Sequence, residues 1–170
     1  LKNAFDIFKF TKADFIKIET DNKNIDIVRH LTKNKIKVVS HIGVTPQKFS
    51  DFSLIKSVGK NPKDTNNLIE LAKELERAGT KLIVVECVSS AASKKITKNL
   101  SIPTIGIGAS KNCDGQVLVI DDILNFNSKI KKPKFVKNFT NIEVSISNAI
   151  NNYVRSVKKR KFPLRKHSYK

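Results

Sequence analysis

Apolar positions along the chain fall into short runs that stay apolar over most of their length. A strand with one solvent-facing side would instead alternate polar and apolar residues, so these runs are typical of buried parallel strands. Each run has the length of a single strand. They are 14–19 (DFIKIE), 35–40 (KIKVVS), 81–87 (KLIVVEC), 102–109 (IPTIGIGA) and 116–121 (QVLVID).

Segments with helical periodicity lie between most of these runs. The clearest spans residues 64–79, where leucines and alanine recur on one face, Asp64 or Thr65 can cap the start, and Gly79 can cap the end. Strands that alternate with helices predict a parallel α/β architecture. Further helices are predicted at 24–34, 90–100 and 142–160.

Four titratable residues stand where the apolar runs stop: Glu19, His41, Glu86 and Asp121. In parallel α/β folds the functional groups collect at the carboxyl ends of the strands, where the loops to the helices begin. Any one of these residues alone is explained as a polar side chain meeting water at the rim of the sheet. Four in equivalent positions indicate a site.

The composition is that of a globular domain, with 39% hydrophobic residues in 170. No apolar run approaches the roughly 18 residues that a membrane span needs, and the first residues lack the layout of a secretory signal. Two cysteines, Cys87 and Cys113, are too few and too far apart for a disulfide framework or a zinc knuckle. These features predict a cytoplasmic protein with no membrane partner.

The formal net charge of +18 raises nucleic acid or another anion as a partner. The segment 158–166 (KKRKFPLRK) is the most basic stretch, and a basic binding module is one open alternative. Against nucleic acid, the lysines are scattered along the chain, and the phenylalanines fall mostly in apolar runs rather than on a stacking platform.

Several motifs, read in order, resemble the ketopantoate hydroxymethyltransferase family. The combination of HIGVTPQ, IGIGA and DGQ is the most specific part of the resemblance, which spans nearly the whole chain. The motifs are 17–19 (KIE), 40–47 (SHIGVTPQ), 84–88 (VVECV), 102–119 (IPTIGIGASKNCDGQVLV), 132–139 (KPKFVKNF) and 162–169 (FPLRKHSY).

This resemblance implies a (βα)₈ barrel, which typically needs roughly 250 residues. The chain would be the carboxyl-terminal two-thirds of such an enzyme, an amino-terminally incomplete barrel with about strands four to eight. We expect a single domain over residues 1–170, with a carboxyl-terminal helical segment from about residue 141. The lack of methionine fits a fragment. An open half-barrel exposes strand edges, so we do not expect activity from it alone, and the resemblance implies a homo-oligomer.

The resemblance also implies a reaction. The family moves a hydroxymethyl group from 5,10-methylenetetrahydrofolate to 3-methyl-2-oxobutanoate, and Mg²⁺ bound to the keto acid assists enolate formation as a Lewis acid. Two aspartates that bind this ion in the family would precede the chain. A related lyase of the phosphoenolpyruvate-type barrels, acting on a keto acid without folate, is a further alternative.

Residue roles follow from the matching motifs. Glu86 would be the general base, made more basic by the valines around it. Lys17 would pair with the substrate carboxylate, and Glu19, on the same side of its strand, would face the metal through water. His41 would be a neighbour of the site, and a purely structural histidine is the alternative. The plainer interpretations are a rim glutamate paired with lysine for Glu86 and an inward salt bridge for Lys17 with Glu19.

Three departures from the family pattern concern loops rather than these residues. In the segment FSLIKSVGK, Ile55 stands in a stretch where the family usually has a glycine pair and a tyrosine. Asp121 stands where histidine is common, and Lys166 where glutamate is usual. These changes bear on loop conformation and folate contacts, and they indicate a divergent member.

Overall fold

The computed structural model describes residues 1–45, 56–126, 132–139 and 146–169. Helices and strands alternate through most of this part of the chain. The elements are α1 (Lys2–Thr11), β1 (Ile16–Glu19), α2 (Ile25–Lys33), β2 (Val38–Gly43), α3 (Pro62–Arg77), β3 (Leu82–Glu86), α4 (Ser90–Lys98), β4 (Thr104–Ile107), β5 (Gly115–Gln116), α5 (Ile120–Leu124), α6 (Ile146–Lys158) and a short 3-10 helix (Arg165–His167).

The strands form one parallel sheet in the order β1-β2-β3-β4-β5. Because crossovers between parallel strands are right-handed, a sequential order without reversal places the connecting helices on one side of the sheet. A doubly wound sheet would reverse its strand order and carry helices on both sides. The arrangement confirms the predicted α/β class, and its winding is that of an incomplete barrel.

The sheet therefore has two unlike faces. On the helix face, side chains from alternate strand positions are almost fully buried against α2, α3 and α4. The other face, called the open face below, carries the residues that alternate with them, and several of these are only half-buried or exposed. The helix face carries Ile16, Val38, Ile42, Ile83 and Val85. The open face carries Lys17, Glu19, Val39, His41, Leu82, Val84, Glu86, Ile105 and Ile107.

Helix α3 begins two residues earlier than predicted. Its cap is Asn61, whose side chain accepts a hydrogen bond from the backbone N–H of Asp64, so the predicted caps Asp64 and Thr65 were wrong. Asn61 precedes Pro62, and proline is well suited to the first helical position. Gly79 follows the helix with φ +98, as the predicted end signal requires.

The last predicted strand is much shorter than expected. Only Gly115–Gln116 pair with β4, and the chain turns into α5 at Ile120, so the predicted strand 116–121 was wrong beyond Gln116. The apolar side chains of Val117, Val119 and Ile120 are exposed. The partner strand β4 ends at Ile107, so the ladder does not continue along these residues. The N–H groups of Asp122 and Ile123 instead bind the carbonyl of Val119 and start the helix.

A second apolar cluster forms around the carboxyl-terminal part of the chain. Ala149 of α6 is fully buried there, and Phe139, Tyr153 and Phe162 make edge-to-face ring contacts. The start of the helix predicted at 142–160 lies outside the described residues, and the single domain over residues 1–170 stays a prediction. Within the described ranges, no helix is long and apolar enough to cross a membrane.

Candidate active site

The structure places four predicted site residues on the open face of three neighbouring strands. Lys17 and Glu19 lie on β1, His41 on β2 and Glu86 at the end of β3. Glu19 is in register with His41, and Glu86 with Gly43. Paired residues of adjacent strands point to the same side of a sheet, so all four side chains share this face. His41 was expected just after its strand and lies within it instead.

Gly43 closes the end of β2 against β3. Its φ is +100, and a Cβ atom there would lie 2.2 Å from the carbonyl oxygen of Glu86, so only glycine fits without a backbone shift. The N–H of Val44 donates to that same carbonyl at 3.0 Å. This turn also brings the carbonyl of Val44 within hydrogen-bond distance of Nε2 of His41.

His41 is the centre of the site and is 1% exposed. Its Nδ1 lies 2.9 Å from Nζ of Lys17, and an ammonium group can only donate, so Nδ1 accepts and the ring proton is on Nε2. Nε2 donates to the Val44 carbonyl at 2.9 Å and lies 3.3 Å from Oε2 of Glu86. Burial, assisted by the charge of Lys17, lowers the pKa of His41 to about 4, so the ring is neutral at pH 7.

Glu86 is held in a poorly solvated position, with its side chain 14% exposed. Burial raises the pKa of Glu86 to about 7; the positive charge of Lys17 opposes this rise, and the negative charge of Glu19 adds to it. The direction agrees with the effect that the neighbouring valines predicted. A carboxylate with a pKa near 7 is suited to accept a proton at neutral pH.

The residue that follows the carboxylate was not singled out from the sequence. The backbone of Cys87 has φ +50, a left-handed conformation that residues other than glycine rarely adopt. This backbone strain costs about 1–3 kcal/mol of folding free energy. The turn is fixed by backbone bonds from Cys87 N–H to Ile107 and from Val58 N–H to Cys87. Tyr169 packs next to this turn. Its hydroxyl lies 4.0 Å from Sγ of Cys87, and its carbonyl accepts a hydrogen bond from the backbone N–H of Ser90. The motif at 162–169 was noticed in the sequence, but nothing in it marked Tyr169.

The residues present do not make a complete magnesium site. Mg²⁺ requires about six oxygen ligands in octahedral geometry. Among the described residues there is no group of three or more histidine, cysteine, aspartate or glutamate side chains placed to hold a metal ion. Glu19 lies on the open face, as the resemblance requires, but it cannot form the site alone.

Two of the three departures from the family pattern lie outside the strands that carry these side chains. Asp121 had been expected at the end of a strand, but it lies in the first turn of α5. Lys166 is an exposed residue of the 3-10 helix. Ile55 lies outside the described residues.

Comparison with known proteins gives one consistent family. The model of the family described as "Ketopantoate hydroxymethyltransferase" matches residues 1–165. Proteins named 3-methyl-2-oxobutanoate hydroxymethyltransferase are similar to the chain in Pelagibacter ubique (47% identity over 169 residues, 99% of the chain and 64% of the relative) and Clostridium botulinum strain Langeland (45% over 168, 99% and 61%). A third, from Francisella tularensis subsp. novicida, is 43% identical over 157 residues, 92% of the chain and 59% of the relative.

These matches confirm the resemblance seen in the motifs. The chain spans about three-fifths of the length of the curated relatives it matches. This share agrees with the expectation of a partial barrel.

Proposed function

Because the chain belongs to the ketopantoate hydroxymethyltransferase family, we propose that the full-length protein transfers a hydroxymethyl group to 3-methyl-2-oxobutanoate, with 5,10-methylenetetrahydrofolate as the donor. The product is ketopantoate, a precursor of pantothenate. The observation that carries the proposal is a carboxylate of raised pKa, Glu86, on the open face at the ends of the strands. Nε2 of His41 lies 3.3 Å from Oε2 of Glu86, and Lys17 is hydrogen-bonded to the other nitrogen of the same ring.

Glu86 acts as the general base in this proposal. The C–H bond at C3 of the keto acid breaks, the proton goes to the Glu86 carboxylate, and the electron pair forms the enolate. Water converts the methylene unit of the folate to formaldehyde and releases tetrahydrofolate. The enolate carbon then attacks the formaldehyde carbon, and the aldehyde oxygen takes up a proton to become the new hydroxyl group. A base with a pKa near 7 is still ionised in useful amount at neutral pH and accepts protons more readily than an ordinary carboxylate. General bases contribute typically about 10²–10⁴-fold to a rate.

His41 positions this base and does not itself exchange the proton. Its proton on Nε2 is donated to the Val44 carbonyl, and with a pKa lowered to about 4 the ring is a neutral neighbour of Glu86 at pH 7, with Nε2 3.3 Å from Oε2. Its other nitrogen accepts a hydrogen bond from the Lys17 ammonium, so one buried ring lies between the two functional groups. A neutral ring beside Glu86 also leaves the basicity of that carboxylate higher than a charged imidazolium would.

Lys17 supplies the positive charge for the carboxylate of the keto acid. It is the exposed residue of β1 next to the site, so its ammonium group is accessible to a ligand while bonded to His41. A compact ammonium suits a carboxylate as a point charge.

A bound Mg²⁺ would supply Lewis-acid stabilisation of the enolate, with Glu19 facing it through water, and its remaining ligands would come from outside these residues. We also expect a cytoplasmic homo-oligomer.

The test uses Glu86→Gln in the full-length protein. In D₂O, proton NMR follows exchange at C3 of 3-methyl-2-oxobutanoate, which reports the base step alone. We expect exchange to fall by about 10²–10⁴-fold while keto-acid binding changes little. Glu70→Gln is the matched control, because Glu70 is an exposed residue of α3. Unchanged exchange in Glu86→Gln would remove Glu86 as the base.

A second measurement separates the folate-dependent reaction from the alternative lyase. Turnover of the keto acid is measured with and without 5,10-methylenetetrahydrofolate. Ketopantoate should form only when the folate is present. Carbon–carbon bond chemistry on the keto acid without folate would overturn the proposed donor and favour a lyase.

A further inference from the structure

A cavity of about 570 Å³ lies at the end of the sheet opposite to Glu86. It opens between the carboxyl ends of α2 and α3, below the starts of β2 and β3. Basic side chains form most of its wall, and all of them are exposed to solvent. They are Arg29, Lys33, Lys35, Lys37, Arg77 and Lys81.

The floor of this cavity is tightly packed. Thr32 Oγ1 donates to the carbonyl of Ala78 at 2.6 Å and so ties α2 to the end of α3. Gly79, with φ +98, passes so close to Thr32 that an added Cβ would lie 3.0 Å from it. The basic side chains are thus mounted on two elements whose separation is fixed, which makes their spacing a property of the fold.

The positive charge around the cavity is largely uncompensated. Within the described residues, Arg29 pairs with Asp26, and the other five basic side chains of the wall form no salt bridge. Lys37 lies over the ring of Phe15 at 5.4 Å, which does not neutralise it. Basic residues are favoured near helix carboxyl ends, but each helix end supplies only about half a negative charge. Two such ends cannot offset six cations.

A neighbouring cavity extends the positive surface. Its volume is about 500 Å³, and it shares Lys35 and Lys37 with the first. Lys9 and Lys12 also line it, and Asp14 is the only acidic residue among its described lining residues. The basic surface therefore runs from α1 to α3 along the amino ends of the strands.

We propose that the cavity between α2 and α3 binds a compact polyphosphate anion. Its volume is in the range of small-ligand sites, about 300–1,000 Å³. Four lysines and the guanidinium of Arg77 in one wall match a ligand that concentrates negative charge on phosphate oxygens. Among the described residues that line this cavity there is no aromatic ring, so this part of the wall offers no stacking platform for single-stranded nucleic acid.

This site is separate from the proposed transfer reaction. Lys37 precedes β2 and His41 lies four residues further along it, which corresponds to about 13 Å of extended strand. The polyphosphate would lie at the opposite end of the strands from the base. The inference therefore does not rest on the proposed function and can stand or fall alone.

The experiment titrates inorganic tripolyphosphate into the full-length protein by isothermal calorimetry at about 0.1 M salt, where exposed charges interact over about 10 Å. The test variant is Lys33→Gln/Lys35→Gln/Lys81→Gln. The control variant, Lys94→Gln/Lys95→Gln/Lys98→Gln, removes three exposed lysines from α4 and gives the same net charge.

We expect saturable binding of one tripolyphosphate per chain in the unchanged protein. The test variant should bind about tenfold more weakly or worse, and the control variant within about twofold, because Coulomb attraction falls with distance. Proton exchange at C3 of the keto acid should be unchanged in both variants. Equal weakening in both variants, or no saturable binding in the unchanged protein, would overturn the proposal.

Two further arms identify the ligand class and guard against loss of fold. A single-stranded oligothymidylate that displaces tripolyphosphate and binds more tightly would overturn the polyphosphate assignment in favour of nucleic acid. Orthophosphate should bind more weakly than tripolyphosphate, and equal affinity would reject a site for multiple phosphates. If the triple variant does not fold, Arg77→Gln tests the same wall, with an expected loss of about threefold; unchanged affinity in that variant would overturn the proposal.

Discussion

The two faces of the sheet are built from the same strands, yet they have different roles. On the helix face, Ile83 and Val85 are 0% exposed and pack under the helices. On the open face, the residues between and beside them include His41 and Glu86, whose burial opposes their charged forms. One face stabilises the fold through apolar burial, while the other holds titratable groups in positions that cost free energy and confer reactivity.

The difference teaches how a short strand serves both purposes. Side chains alternate across a strand, so a one-residue shift of register would exchange the faces and bury charged groups under the helices. Gly43 helps to fix the register at the carboxyl end of β2, because only a residue without a Cβ fits against the carbonyl of Glu86.

The largest contrast is expected between neighbouring residues of β3. Ile83→Ala removes a fully buried side chain and should lower the free energy of unfolding by about 2–5 kcal/mol. Leu82→Ala, on the open face, should cost about 1 kcal/mol or less in a chain of residues 1–170. Urea denaturation followed by circular dichroism measures both. Equal losses of unfolding free energy in the two variants would show that the open face is covered by further protein, and would contradict the proposed difference between the two faces.

The next effect concerns the contact between β2 and β3. Gly43→Ala places a Cβ 2.2 Å from a backbone oxygen at positive φ, and we expect a loss of about 1–3 kcal/mol in the free energy of unfolding. Proton exchange at C3 of the keto acid should fall too, because Glu86 shares that backbone. Gly115→Ala is the control, since its Cβ meets only the movable Cδ1 of Ile105. A Gly43→Ala variant as stable as Gly115→Ala contradicts the tight-turn argument.

The smallest effect is a pair of opposite pH slopes in stability. The folded pKa of His41 is about 4, below the ordinary 6.5, so the unfolded chain binds the extra proton and stability falls as pH drops from 6.5 to 4. The folded pKa of Glu86 is about 7, above the ordinary 4.5, so its contribution is fully present below pH 4.5 and is lost as pH rises to 7. Between pH 4.5 and 6.5 the two slopes cancel.

Single substitutions should uncover these slopes. Glu86→Gln leaves the His41 contribution, and stability should rise with pH by about 1.4 kcal/mol per unit at most. His41→Gln leaves the Glu86 contribution, and stability should fall with pH by a similar amount over 4.5–7. Unfolding free energies of both variants and of the unchanged protein at pH 5 and 6 give the test. Parallel slopes in the two variants would refute opposite burial effects.

Several features of the site followed from the sequence because they depend on local patterns. A strand that stays apolar and ends on a carboxylate predicts both burial and a raised pKa, and Glu86 has both. Lys17 and Glu19 are two positions apart on a strand, which alone puts them on one side. The predicted strand 116–121 was wrong beyond Gln116, because apolar residues such as Val117 and Val119 do not form a strand unless a neighbouring strand can pair with them.

The sequence by itself determined the alternation of strands and helices and the residue types that stop at the strand ends, since periodicity and turn chemistry act over a few neighbours. Only the tertiary structure decided that His41 lies between Lys17 and Glu86, that Asn61 caps α3, and that scattered lysines surround one cavity. These contacts join residues far apart in the chain. Their geometry is set by strand register and helix packing, which no local pattern specifies.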